Sequence, residues 1–392
     1  MKRFSLSLLC LIAAIASVQA EDLNLPDALT TASGEKVTSM EMWKNKRRPE
    51  LLEIFRENVF GRMPVNRPPS LKFTTINTDP KAMGGQATLK QVTISYSGPG
   101  GDGAIHLSLF VPNRKEKPAP CFLLICNRGV ENIDPTREKK SPFWPAEDMI
   151  GRGYAAAAFF NGDVARDKAD AWKSGAHAIF DPAQRAPDAW GTIAAWAWGA
   201  SRCMDYLETD HDIDKTRVAV IGHSRGGKTA LWAGAEDTRF AMVCSNDAGC
   251  TGSKLARHLK GESIEAINTH FPHWFCENYK KFNGHPEALP VDFHELIGLI
   301  APRPVYIASA SEDTDPEGEF LGAVNASPVY ALFGLPGLSA KEYPKPDTTF
   351  QVGLIGYHLR PGPHNLIEYD WTRYMDFFER HLERSARFSE GN

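Results

Sequence analysis

The stretch Val218–Ala235, "VAVIGHSRGGKTALWAGA", runs from four apolar residues through a glycine to His223, Ser224 and Arg225, and then becomes a mixture that favours helix. A polar serine between a buried strand and a helix needs a reason. Gly222-His223-Ser224-Arg225-Gly226 fits G-x-S-x-G, in which a tight strand-to-helix turn lifts the serine hydroxyl clear of a sheet. Such a turn strains the serine backbone and needs small residues to keep strand and helix apart, a need that Gly222, Gly226 and Gly227 meet. A turn whose serine merely caps the helix is the alternative. Strand, glycines and helix together favour a nucleophile.

Working outward, six short continuous apolar runs occur from residue 119 on: "PCFLLICN", "GYAAAAFF", "RVAVIGHS", "FAMVCSND", "RPVYIASA" and "QVGLIGYH". Several are separated by helical stretches such as "AWGTIAAWAWGASRCMDYLE". Continuous apolar strands alternating with helices predict a mostly parallel sheet covered on both faces, the α/β class, with its site at the carboxyl ends of the strands. Upstream, "QATLKQVTISYSG" and "GAIHLSLFVPN" alternate apolar with polar residues around "PGGDG", as an antiparallel hairpin does. The chain divides into a leader over 1–20, an N-terminal wrap over 21–80 with one amphipathic helix near "PELLEIFRENVFG", and a catalytic domain over 81–392.

The leader "MKRFSLSLLCLIAAIASVQA" places Lys2 and Arg3 before an apolar run and a small-residue cleavage site ending at Ala20. That run is too short for the roughly 30 Å of a bilayer core, so it reads as a signal peptide and the product as secreted or periplasmic. Leu9 is too bulky for Cys10 to be a lipoprotein cysteine. The formal charge of −4 becomes two units more negative once Lys2 and Arg3 leave, which excludes attraction to nucleic acid or an anionic membrane. With 42% apolar and 10% aromatic residues the chain can bury a large core, and a monomer is expected. The six cysteines beyond the leader permit disulfides without implying them, and no spacing suggests a metal.

A serine nucleophile needs a histidine base and a carboxylate to orient it, here in the order serine, acid, histidine. After the last strand, His358 continues the strand and reads as structural, whereas His364 lies in the Gly/Pro loop "RPGPHN" that can hang over the strand ends. His381, near the end of the terminal helix, needs no catalytic explanation. Two acids compete for the orienting role: Asp247 ends "FAMVCSND" and Asp313 ends "RPVYIASASED". Glu312 and Asp315 are neighbours that could substitute for Asp313. The sequence leaves this choice open.

The segments "GHSRGGKTALWAGA", "SNDAGCTG", "INTHFPHWFCENY", "LPVDFHELIGLIAPRPVYIASASED", "DPEGEF" and "GYHLRPGPHNLIEYDW", with "FRENVFGRMP" near the start, resemble the bacterial glucuronoyl esterases of carbohydrate esterase family 15. The resemblance implies an α/β-hydrolase fold and hydrolysis of esters that link 4-O-methyl-glucuronic acid side chains of xylan to lignin alcohols. It implies no metal or cofactor. Ser224 would be the nucleophile, His364 the base, and Asp247 or Asp313 the acid, since family members differ in which strand end supplies it. Arg225 would donate to the oxyanion and Lys228 to sugar hydroxyls, with Glu262 and His270 in the sugar-contacting region. The tryptophan that bacterial relatives usually carry before "DPEGEF" is missing; Trp274 in "FPHWF" reads first as a core residue, with a contribution to the pocket as the alternative. His223 occupies the place of a disulfide cysteine in fungal members. An acetyl or feruloyl xylan esterase, or another carboxylesterase, is the alternative activity; an exported carbohydrate-binding protein without catalysis is a third reading.

Overall fold

The computed structural model describes residues 23–113, 118–340 and 342–383. The expected leader lies outside them. Among the described residues no helix is long and apolar enough to cross a membrane.

Among the described residues ten strands form one sheet: β1 Lys72–Lys81, β2 Ala87–Gly98, β3 Gly101–Pro112, β4 Ala119–Cys126, β5 Ala155–Phe160, β6 Ile213–His223, β7 Met242–Asn246, β8 Val305–Ala310, β9 Thr348–Phe350 and β10 Ile355–Arg360. Their order across the sheet is β1-β2-β3-β5-β4-β6-β7-β8-β10-β9. The six strands from β5 to β10 in that order run parallel, and antiparallel strands flank them on both sides. This is the α/β-hydrolase architecture, and each of the six apolar runs is one of its parallel strands.

Period-two alternation explains why those runs are continuously apolar. In β4, Cys121, Leu123 and Ile125 enter the core on one face, while Phe122, Leu124 and Cys126 enter the core on the other. The first core lies under the helices Thr192–Leu207 and Arg225–Glu236, the second under the helix Glu368–Phe378. The six cysteines among the described residues are buried free thiols, four of them at strand or helix positions.

Strand β1 crosses the boundary expected at residue 80 and pairs with β2 from Lys72 to Asp79. Its side chains are exposed except for a half-buried Phe73, its register slips between Thr75 and Asn77, and Pro80 stands near its end. So polar an edge strand carries none of the alternation that marks β2 and β3. Upstream, the expected amphipathic helix spans Arg48–Phe55 and continues in a wider turn to Phe60. Phe55 and Phe60 pack on Trp232 of the helix Arg225–Glu236, with ring centroids 6.3 and 4.3 Å apart.

The strand-to-helix turn at residue 224 needs its glycines. A Cβ on Gly222 would stand 2.0 Å from the Gly226 carbonyl oxygen, and one on Gly227 3.0 Å from that of Asn246. Both obstacles are backbone and cannot rotate away. Gly222→Ala is therefore expected to destabilise the fold by about 3 kcal/mol, read as a lowered denaturant midpoint at unchanged slope. An unchanged midpoint would show that strand and helix can separate at this point.

Candidate active site

Ser224 joins β6 to the helix Arg225–Glu236 with φ 57° and ψ −122°, a conformation that costs a non-glycine residue about 1–3 kcal/mol. Neighbouring strands hold it there. Its N–H donates to Asn246 O at 2.8 Å, while its own carbonyl accepts from Gly227 N and Lys228 N at 2.8 and 3.1 Å. The serine thus sits where the first helical turn presents its free N–H groups, a place suited to developing negative charge.

His364 stands at the same end of the sheet. Its ring lies 4.5 Å, centroid to centroid, from that of His223, the residue before the serine. The loop that carries it is clasped by Arg360, whose guanidinium donates to Pro363 O and Asn365 O at 2.8 and 2.6 Å. Asp370 in turn accepts from Arg360 and from His358 Nε2, at 3.1 and 2.8 Å. His358 is fully buried in this network, the structural place its strand position suggests. His381 Nε2 donates to Gln351 O at 3.0 Å.

The two competing acids now part. Asp313 Oδ2 lies 2.9 Å from His364 Nδ1, and since a carboxylate can only accept, Nδ1 carries the hydrogen and leaves Nε2 for the substrate side. Burial works against the Asp313 charge. The His364 hydrogen bond and charge, the Thr314 N–H and the Lys228 ammonium outweigh it and hold the carboxyl below its ordinary range. Asp247 is directed elsewhere: it accepts from Ala310 N at 2.6 Å, Asn365 N at 3.2 Å and Arg360 at 3.4 Å. Burial, then the charges of Glu319, Asp313 and Asp370, push Asp247 well up, with Arg360 pulling back. Each of Asp247, Asp313 and His364 has an atom within 4.8 Å of the others, so Asp247 is close to the imidazole but is bonded to the backbone beside it. Asp315 caps the helix Pro316–Leu332 and bonds His258 Nδ1 at 2.7 Å, and Glu312 is exposed.

Around the serine, Arg225 donates through one terminal nitrogen to Asp167, and its guanidinium lies 5.0 Å from the Trp274 ring and 5.5 Å from Phe271. Its Nε is buried without a hydrogen-bond partner among the described residues. Lys228 is also buried, gives one hydrogen bond to Ala248 O and stands 5.9 Å from the Trp274 ring. Trp274 is 3% exposed, with Phe271 stacked on it at 3.8 Å. Glu262 is half-buried, and its carbonyl oxygen accepts from Lys254 at 3.2 Å. His270 is exposed at the end of the helix Ile264–His270, its ring 6.3 Å from Phe271. Ser224, Arg225, Lys228, Asp313, His364 and Trp274 are thereby tied into one centre by direct contacts or shared neighbours, whereas His270 touches it only through Phe271.

Asp167, Phe271 and Arg360 were missed in the sequence. Asp167 stands in the charge-rich segment "GDVARDKAD", which resembles any solvated loop, and only its place after the strand β5 could have drawn notice.

Residues 105–334 match the family described as glucuronyl esterase, fungi. A carbohydrate esterase from an unknown prokaryotic organism is 40% identical over 94% of this chain and 92% of its own length. Among solved structures, a glucuronoyl esterase from Solibacter usitatus superposes with a TM-score of 0.86 at 40% identity, covering 91% of this chain and 98% of that one. A structure described as a promiscuous esterase of carbohydrate esterase family 15, from a marine bacterial metagenome, gives 0.83 at 40% identity over 91% and 97%. The strained serine turn, the His364–Asp313 pair at the same end of the sheet and these likenesses agree: the chain belongs to the glucuronoyl esterases, carbohydrate esterase family 15.

Proposed function

We propose that this protein hydrolyses glucuronoyl esters, the linkages between xylan-borne (4-O-methyl-)glucuronic acid and lignin alcohols, through an acyl-enzyme on Ser224. The observation that carries this reading is the His364–Asp313 hydrogen bond at the strand ends where the strained Ser224 sits. His364 Nε2 takes the Ser224 proton as Oγ attacks the ester carbonyl. The unpartnered Arg225 Nε and the N–H groups of the turn receive the oxyanion, a contribution of roughly 3–4 kcal/mol. The tetrahedral intermediate then collapses, and the alcohol departs with the proton from His364. Water, deprotonated by the same imidazole, cleaves the acyl-enzyme and releases the uronic acid.

Lys228, with N–H groups beyond the one given to Ala248, and the Phe271–Trp274 stack supply the sugar side. A wider range of acyl groups is the second reading, favoured by the missing tryptophan before "DPEGEF" and by the description of the metagenomic neighbour as promiscuous. The two separate in the ratio of kcat/KM for benzyl glucuronate, benzyl galacturonate and an acetylated xylan. A preference for glucuronate of about a hundredfold over the acetyl ester is expected, and equal rates would assign the broader activity. The protein acts as an exported monomer after loss of residues 1–20, on a polysaccharide substrate.

A further inference from the structure

We infer that Asp167 is a positioning residue for the reaction, an orienter of Arg225 that stands to the oxyanion donor as Asp313 stands to His364. This rests on the reading of Arg225 as that donor. Three donors from two separate parts of the chain converge on the one carboxylate: a terminal nitrogen of Arg225 on Oδ2, and His273 Nε2 and Trp274 Nε1, both at 2.8 Å, on Oδ1. Asp167 itself comes from a third, the loop after β5. Since the carboxylate can only accept, the His273 hydrogen lies on Nε2.

The direction of the bonds gives the arrangement its purpose. Arg225 is the first residue of its helix, its side chain is 31% exposed, and a flexible arginine there would ordinarily extend into water. Asp167 holds the far end of the guanidinium instead, and the stacked rings of Trp274 and Phe271 stand beside it. Fixing the far end leaves Nε, the nitrogen nearest the backbone and Ser224, buried and unpartnered. A buried donor without an acceptor is costly in a resting protein, and it becomes an asset when an oxyanion forms beside it. The Asp167 carboxyl is fit for the task at any working pH. Burial opposes its ionisation, but the His273 and Trp274 hydrogen bonds and the Arg225 charge bring it down to about 2.

A donor aligned in advance lowers the barrier without tightening substrate binding, so the loss on removing its orienter falls on kcat. Asp167→Asn is expected to lower kcat on benzyl glucuronate by about thirtyfold with KM within twofold, and to weaken binding of a phosphonate transition-state analogue by the same factor. Arg225→Lys alone is expected to cost about a hundredfold, and Asp167→Asn in that background less than a further threefold. An equal loss from Asp167→Asn in both backgrounds would make Asp167 merely structural and overturn the inference; so would a kcat within twofold of wild type. Full activity in Arg225→Lys would instead overturn the reading of Arg225, which separates the two failures. Should Asp167→Asn melt at the assay temperature, Trp274→Phe, which removes one donor and keeps the ring, is expected to lower kcat by about threefold in the wild-type background only.

Discussion

Ser224→Ala leaves a folded protein in which benzyl glucuronate hydrolysis has fallen by about ten-thousandfold. The size follows from the mechanism: without Oγ there is no acyl-enzyme, and the remaining groups can only polarise the ester for attack by water. Stability should rise or stay level, because the residue at φ 57° makes its hydrogen bonds through backbone atoms, which alanine retains. A fall in melting temperature together with residual turnover within a hundredfold of wild type would identify position 224 as a structural cap and end the esterase mechanism written for it. Rapid mixing adds a second measurement. With an activated aryl glucuronate the wild type should release a burst of alcohol equal to the enzyme concentration, and the alanine variant none.

The second large effect distinguishes the two acids at the strand ends. Asp313→Asn is expected to lower kcat by about a thousandfold with little change in stability, since an amide there can turn its NH2 to His364 and favour the wrong tautomer. Asp247→Asn has the opposite profile. Its carboxyl accepts from Ala310 N and from Asn365 N, the residue after His364, so an amide must oppose one donor with another. A loss of about 2 kcal/mol in stability and about tenfold in kcat is expected, the latter from a loosened histidine loop. Were Asp313→Asn nearly as active as wild type and Asp247→Asn inactive, the orienting role would belong to Asp247. The low-lying Asp313 carboxyl adds a pH sign: its contribution to folding is complete above the unfolded carboxyl value of about 4 and is lost as pH falls through its depressed native value.

What could be read from the sequence was whatever local chemistry dictates. The parallel strands declared themselves because a strand covered on both faces is apolar over most of its length, with polar residues confined mainly to its carboxyl end, and Ser224 because its glycines answer to clashes with fixed backbone. His364 was separable from His358 by its Gly/Pro loop. Direction was not legible: Asp247 and Asp313 both end parallel strands, and which one faces the imidazole depends on a bond formed 51 residues along the chain from Asp313. Asp167 was hidden for a related reason. Its three partners are Arg225, His273 and Trp274, and nothing within its own loop distinguishes it from Asp163 or Asp170. Strand β1 escaped because an exposed edge strand has no buried face to write into the pattern.

That edge strand bears on how the protein behaves in company. At high local concentration any long, flat sheet margin would invite another copy to zip alongside. One margin here is β1, with its slipped register, its proline and its terminal lysines; the other is β9, three residues long. Neither offers a straight ladder of open amides, so crowded molecules can stand side by side without templating fibrils of their own.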